Sequence, residues 1–293
     1  MVGGALLAPW LHALAQTAAG KLAWMAPLAR HPFPRIVNRA ALFLALAGLW
    51  PLLRSLRVRS RSEIGLSNPA GHWLEMLGGL ALGFGTLAAV ALLAAGCGVR
   101  RLEPDLAGSS LLRHVANAGL AAVCVSLIEE VLFRGALFGT LRRGVGVPAG
   151  LAISSLIYAA AHFLAPVKWS AEVHWWSGLA VLGGMLSGFT ELKTMLPGFL
   201  NLAVAGVILG VAYQRSGALY LSLGLHAGWV FWLKSYRFVT RQQPGAEAWL
   251  WGTDKLIDGW LAFGALALAL GVLLWWRGIS SPPLGERIKV RRR

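Results

Sequence analysis

Long apolar stretches recur from one end of the 293-residue chain to the other, and the segments between them are short. Hydrophobic residues make up 57% of the chain and charged residues 13%, which leaves too little polar surface to cover a water-soluble globule. A helix needs roughly 17–25 mainly apolar residues to cross a bilayer. The stretches that reach or approach this length are 36–53, 74–96, 111–141, 148–165, 199–213, 218–233 and 257–276. Lipid must therefore surround much of the protein.

The pattern inside these stretches predicts helices. Their apolar residues are continuous rather than alternating at every second position, and a helix satisfies its own backbone hydrogen bonds in lipid. An eighth, glycine-rich stretch at 175–189 could span, re-enter or lie on the surface. We expect an all-α, polytopic transmembrane helix bundle of about seven or eight spanning helices, forming a single integral membrane domain over residues 1–293.

Basic residues give the chain a formal net charge of +15 and fall in short blocks between the apolar stretches. The blocks are 54–61, 142–143 and the tail 277–293. Lys and Arg mark cytoplasmic segments of membrane proteins and contact anionic lipid, so we predict a basic cytoplasmic tail and no nucleic-acid partner. All three blocks share one side only if the segment 166–197 returns without a complete crossing. The expected location is the bacterial inner, or cytoplasmic, membrane.

Two adjacent carboxylates and an arginine interrupt the apolar stretch 111–141. An ionisable group at the centre of a bilayer costs at least about 2.5–3.5 kcal/mol, so Glu129, Glu130 and Arg134 indicate a functional site. Glu130 and Arg134 are four residues apart and share a helix face, which suits an ion pair, whereas Glu129 is turned about 100° away. The alternative is a buried salt-bridged cluster that only fixes helix packing. A single arginine needs only one partner, and this favours a task for Glu129.

Two histidines stand in other apolar stretches. His162 follows Ala159, Ala160 and Ala161, and His226 lies between Leu225 and Ala227. Each could be an ordinary hydrogen bond between helices. Together with Glu129 they are three candidates from three helices, and intramembrane sites are assembled in this way.

The order of these residues resembles the CAAX prenyl protease and bacteriocin-processing (CPBP, or Abi) family of intramembrane proteases. The resemblance covers Ser126 to Phe231, which we interpret as a catalytic core at 126–231. Its motifs are Glu129-Glu130-x-x-x-Arg134-Gly135, Tyr158-x-x-x-His162, and Ser216-Gly217-Ala218-Leu219 followed by Leu225-His226-Ala227-Gly228-Trp229. The first motif is the specific one.

The resemblance implies hydrolysis of a peptide bond within the membrane by a glutamate-activated water. The implied catalytic residues are Glu129, Glu130, Arg134, His162 and His226. Glu129 would act as the general base, His162 would orient the water or the substrate, and His226 would face the developing oxyanion. A rival implication is a zinc site held by the same glutamate and two histidines, with a fourth position for water. No His-Glu-x-x-His helix is present, which favours a mechanism without a metal cofactor.

Two positions depart from the family pattern. Val230 stands where the family usually has an asparagine that is thought to help bind the oxyanion. Stabilisation would then fall to His226, Arg134 or Asn201. Tyr158 stands where phenylalanine is common, and with Asn201 it is a further candidate for contacting the substrate or the oxyanion.

The expected partners are the lipid bilayer and a membrane-anchored protein or peptide, cut near a carboxyl-terminal sorting signal or in a peptide precursor. Prenylated CAAX proteins are not expected substrates in an arginine-rich, bacterial-looking chain. The alternatives are a non-proteolytic bacteriocin-immunity or scaffold member of the same family, which Val230 favours, and a proton-coupled transporter. Against a transporter, the chain shows neither an inverted repeat nor paired broken helices.

Overall fold

The computed structural model of the chain describes residues 1–55, 58, 60–103, 108–164, 166–189 and 192–276. The predicted cytoplasmic tail at 277–293 lies outside these residues, as do Arg57 and Arg59 of the first basic block.

Twelve α-helices are present in the described part of the chain. They are α1 (Val2–Lys21), α2 (Ala26–Ala29), α3 (Phe33–Ser55), α4 (Trp73–Gly96), α5 (Gly108–Glu129), α6 (Gly139–Gly144), α7 (Val147–His162), α8 (Ser177–Met185), α9 (Leu192–Ser216), α10 (Tyr220–Val239), α11 (Ala248–Trp251) and α12 (Trp260–Trp275). Residues Glu130–Phe138 have π-helical geometry and join α5 to α6, so that Gly108–Gly144 is one long helix.

The prediction of an all-α fold is confirmed, and each of the seven apolar stretches lies mostly within one helix. Among the described residues, only β1 (Arg100–Leu102) and β2 (Thr240–Gln242) are strands, and they pair antiparallel. Within the described ranges, four helices are long and apolar enough to cross a membrane: Phe33–Ser55, Trp73–Gly96, Gly108–Gly144 and Met195–Ser216. Shorter apolar helices cover Val147–His162, Ser177–Phe189 and Trp260–Trp275. The structure therefore does not confirm the predicted number of seven or eight spans.

The described residues divide into two compact units, Met1–Arg57 with Phe163–Leu192, and Val58–His162 with Lys193–Arg293. In the first unit, α1, α3 and α8 share an apolar core. Its buried residues are Ala5, Ala8, Phe33, Ile36, Val37, Ala40, Val181 and Met185. Helix α8 has nine residues, well below the number that a bilayer crossing requires.

The second unit is a bundle in which α4, α9, α10 and α12 share the main apolar core. Its fully buried members include Leu87, Ile208, Leu209, Leu221, Leu225 and Leu266. All the residues that the sequence singled out for chemistry belong to this unit.

Helices α4 and α10 lie against each other through reciprocal pairs of glycines. A methyl group at Gly79 or Gly83 of α4 would lie 2.2 or 2.1 Å from a main-chain carbonyl oxygen of α10. A methyl group at Gly224 of α10 would lie 1.9 Å from a main-chain oxygen of α4, and one at Gly228 would lie 2.5 Å from a main-chain nitrogen. Only glycine permits this approach, which is typical of membrane helix pairs. The contact fixes the segment of α10 that carries His226.

Candidate active site

A tight connection brings Glu129, the last residue of α5, level with His162, the last residue of α7. Gly146 has φ of +85°, which ends the long helix, and Pro148 lies in the first turn of α7, where proline is tolerated. Glu129 lies 17 residues before Gly146, and His162 lies 16 residues after it. Antiparallel helices that turn between them therefore place these two side chains opposite each other.

The carboxylate of Glu130 is fully buried and holds two partners. Its Oε1 accepts a hydrogen bond from Arg134 Nη1 at 3.0 Å and another from His226 Nδ1 at 2.9 Å. The sequence predicted the ion pair with Arg134 from the spacing of four residues, and the structure shows it. The same carboxylate also orients the imidazole of α10, a link that the sequence did not indicate.

Arg134 is enclosed on several sides. Its Nη2 donates to the carbonyl of Gly206 on α9 at 3.4 Å, and its guanidinium carbon lies 4.3 Å from the ring centre of Tyr158. Gly206 lies against Ser155, where a methyl group would come within 2.8 Å of the serine Cβ. The arginine therefore ties the π-helical segment Glu130–Phe138 to α7 and α9 around the ion pair.

Glu129 faces away from the ion pair and towards both histidines. Its Oε2 lies 3.7 Å from His162 Nε2 and 3.8 Å from His226 Nε2, and no donor among the described residues is within hydrogen-bond distance of this oxygen. The Glu129 side chain is 23% exposed and that of His162 is 33% exposed, whereas His226 is buried. Two neighbouring carboxylates thus have different surroundings, one enclosed and paired, the other open.

The other ring nitrogens of the two histidines have defined partners. His162 Nδ1 donates to the carbonyl of Tyr158 at 2.9 Å, because a carbonyl can only accept. His226 Nδ1 donates to Glu130, whose ionised carboxylate can also only accept. In their neutral forms both imidazoles therefore leave Nε2, the nitrogen near Glu129, as a hydrogen-bond acceptor.

Tyr158 packs at the centre of this group. Its hydroxyl lies 3.4 Å from His226 Nε2, and its ring meets that of Phe133 edge to face with the centroids 5.1 Å apart. The ring of His162 lies 4.6 Å from that of Tyr158. The structure thus groups Tyr158 with the five residues expected to be catalytic.

Asn201 has a different role. Its Nδ2 donates to the carbonyl oxygens of Ile257 at 2.7 Å and Gly259 at 2.9 Å. These contacts use both amide hydrogens to hold the segment that precedes α12. The side chain has no further donor for an oxyanion in this arrangement, and we assign Asn201 to the stabilisation of the bundle.

Residues 111–232 match the family model described as Rce1-like, type II CAAX prenyl endopeptidase. This segment is an Rce1-like domain. The match agrees with the resemblance to the CPBP family and includes every residue of the site described above. No curated protein and no solved structure is significantly similar to the chain.

The Rce1-like segment and the apolar helices together indicate an integral membrane protein that contains a segment similar to CAAX-type endopeptidases. Sequence reasoning did not find Phe133 or Gly206, whose contacts enclose the ion pair. The sequence did indicate Arg134, which both residues contact. The contacts that Phe133 and Gly206 make depend on how α7 and α9 approach the site, and no local sequence pattern predicts this approach.

Proposed function

We propose that the protein is an intramembrane endopeptidase that hydrolyses a peptide bond with a water molecule activated by Glu129. The observation that supports this proposal is the position of Glu129 Oε2 between the Nε2 atoms of His162 and His226, at 3.7 and 3.8 Å. These distances are too long for direct hydrogen bonds, so none of the three atoms is bonded to another and a water beside them has acceptors on both sides.

The reaction divides into two proton transfers through Glu129. The carboxylate takes a proton from the water, whose oxygen forms a bond to the carbonyl carbon while the carbonyl electrons move onto the oxygen. The resulting oxyanion collapses, the carbon–nitrogen bond breaks, and the protonated Glu129 gives its proton to the leaving nitrogen. The products are a carboxylic acid and an amine, and Glu129 ends in its starting state.

The surrounding residues position the water. The Nε2 atoms of His162 and His226 can each accept a hydrogen bond, because their Nδ1 atoms are already donating. A water that gives one hydrogen to Glu129 and the other to a histidine has its lone pair directed towards the substrate. Glu130 and Arg134 keep His226 in this orientation.

The proposed mechanism needs no metal. Among the described residues, no group of three or more His, Cys, Asp or Glu side chains is arranged to hold a metal ion. If zinc were bound here, Glu129, His162 and His226 would hold it, and the ion would supply the activated water. Activity that depends on added zinc and is lost with a chelator would contradict this part of the proposal.

The proposed substrate is a membrane-anchored protein or peptide, cut near a carboxyl-terminal sorting signal or in a peptide precursor. The polar site lies on apolar helices, so a substrate held by the bilayer reaches it more readily than a soluble chain does. We further propose that the protein resides in the bacterial inner membrane, with the basic tail 277–293 in the cytoplasm. Because the matching family is described as CAAX prenyl endopeptidases, prenylated CAAX peptides are the substrates against which the proposed ones should be compared.

The proposal is tested with purified protein reconstituted in liposomes and a panel of internally quenched peptides, each carrying a membrane anchor. One member of the panel is a prenylated CAAX peptide. Wild-type protein is expected to cleave at least one peptide. Glu129→Gln is expected to lower the cleavage rate by a factor of about 10³ or more, because an amide cannot take a proton from water. Wild-type protein that cleaves none of the panel would support a non-proteolytic member of the family, to which the valine at position 230 also points.

A matched control uses an acidic residue outside the site. Glu75→Gln alters a carboxylate of α4 whose partner, at 2.9 Å, is His72. Its rate is expected to stay within about twofold of wild type. Equal loss in Glu129→Gln and Glu75→Gln would contradict a specific role for Glu129.

A further inference from the structure

Hydrolysis at Glu129 requires a hydrogen-bond donor for the oxyanion, and most nearby donors already have partners. Arg134 donates to Glu130 and to the Gly206 carbonyl, and His226 Nδ1 donates to Glu130. His162 Nδ1 donates to a carbonyl on its own helix. The two histidine Nδ1 atoms hold the site together, so a new bond from either one to the substrate would break an existing bond. Arg134 has three further N–H groups, but its guanidinium is buried against Glu130 and the ring of Tyr158.

Asn201 and Trp229 also carry buried donors, and their contacts are in other parts of the bundle. The amide of Asn201 holds the segment before α12 through both of its hydrogens. The indole nitrogen of Trp229 has no hydrogen-bond partner among the described residues, but its ring is part of the apolar cluster that contains Leu87 and Leu209.

The geometry points to Tyr158 as the donor that stabilises the oxyanion, an inference that rests on the proposed hydrolytic function. Its hydroxyl is grouped with the polar atoms of the site and lies 3.4 Å from His226 Nε2, a long hydrogen bond that costs little to exchange. When the substrate binds, the hydroxyl donates to the carbonyl oxygen that becomes the oxyanion, and His226 Nε2 is then free to accept from the attacking water. No proton is transferred from the tyrosine.

The surroundings of the ring prepare it for this role. The guanidinium of Arg134 lies over the ring at 4.3 Å, and its positive charge favours accumulation of negative charge at the hydroxyl end. Phe133 and His162 contact the same ring and restrict its rotation. Tyr158 is 3% exposed, so the hydroxyl acts in a medium of low dielectric, where a preorganised donor is most effective.

The test is Tyr158→Phe in the liposome assay, because phenylalanine keeps every ring contact and removes only the hydroxyl. Loss of one oxyanion donor typically lowers kcat by about 10²–10³. We expect a fall in kcat of this order, with KM and the thermal midpoint unchanged. A kcat within twofold of wild type would overturn the inference.

The pH profile of kcat/KM separates donation to the oxyanion from mere orientation of His226. If Tyr158 contacts the oxyanion, Tyr158→Phe lowers kcat/KM by the same factor at every pH, and the pH values at which kcat/KM rises and falls stay the same. If the hydroxyl acts only through His226, one of these pH values changes, and the inference is wrong.

Rescue by a second substitution gives an independent readout. Val230 lies one helical turn after His226 and is buried, so an amide at this position shares the face of the imidazole. In the Tyr158→Phe background, Val230→Asn is expected to raise kcat by a factor of about ten or more. When Tyr158 is present, the same substitution should change kcat little. Equal gains in both backgrounds would contradict the assignment, because they would show that the site lacked this donor.

The outcomes distinguish this inference from the proposed function. If Glu129→Gln is inactive and Tyr158→Phe is as active as wild type, only the inference about Tyr158 fails. If wild-type protein cleaves no peptide at all, the hydrolytic function itself fails.

Discussion

Replacing Glu130 with glutamine is expected to destabilise the helix bundle far more than the same replacement at the adjacent Glu129. Glu130 is 0% exposed and accepts hydrogen bonds from Arg134 at 3.0 Å and His226 at 2.9 Å. Glutamine keeps the shape of the side chain but removes the charge. The buried guanidinium then loses its counter-ion while it remains enclosed.

The expected size of the effect follows from that enclosure. Removing one partner of a buried ion pair costs about 3–5 kcal/mol, because the remaining charge cannot be solvated. The folding equilibrium constant should therefore fall by a factor between about 10² and 10⁴. Glu129 is 23% exposed, and its Oε2 has no hydrogen-bond donor among the described residues, so Glu129→Gln should cost less than about 1 kcal/mol.

The free energy of unfolding is measured for wild type and both variants by titrating the detergent-solubilised protein with a denaturing detergent and following tryptophan fluorescence. The chain carries 14 tryptophans, which makes the signal strong. A difference of less than 1 kcal/mol between the two variants would refute the division of roles between the carboxylates. It would mean that the ion pair contributes little to folding.

Three further predictions concern the fold and its orientation. Gly224→Ala should lower the thermal midpoint, because the added methyl would lie 1.9 Å from a main-chain oxygen of α4, whereas Gly85→Ala, where nothing lies within 4 Å, should not. Asn201→Ala should lower the free energy of unfolding by about 1–3 kcal/mol, because two hydrogen bonds are lost, and should leave kcat per folded molecule unchanged. A fall in kcat without loss of stability would show that Asn201 acts in the active site. A reporter fused after Arg293 should be active on the cytoplasmic side, and periplasmic activity would contradict the predicted topology.

Much of the helical framework could be predicted because lipid permits few alternatives. Continuous apolar stretches must form helices, and the described helices follow the predicted stretches closely. The two three-residue strands were not predicted, since the paired residues of Arg100–Leu102 and Thr240–Gln242 are at least 138 positions apart in the chain and carry no alternating pattern. The π-helical geometry at Glu130–Phe138 likewise has no local signal in the sequence.

In the candidate site, too, contacts within one helix could be predicted from the sequence, whereas contacts between helices could not. The contact between Glu130 and Arg134 follows from helix periodicity, so the spacing of four residues was sufficient to predict it. The bond from His226 to Glu130 and the contact of Asn201 with Ile257 depend on how separate helices approach one another. Asn201 looked available in the sequence because the segment that occupies its amide lies more than 50 residues away.

The most direct test of the central claim is a single-turnover cleavage in water enriched in ¹⁸O, with mass spectrometry of both the product and the protein. A water activated by Glu129 attacks the peptide carbonyl itself. The mechanism therefore predicts one ¹⁸O atom in the new carboxyl group of the product and none in Glu129. Label in the Glu129 side chain after one turnover would show that this carboxylate had bonded to the substrate as a nucleophile, and would contradict its role as a general base.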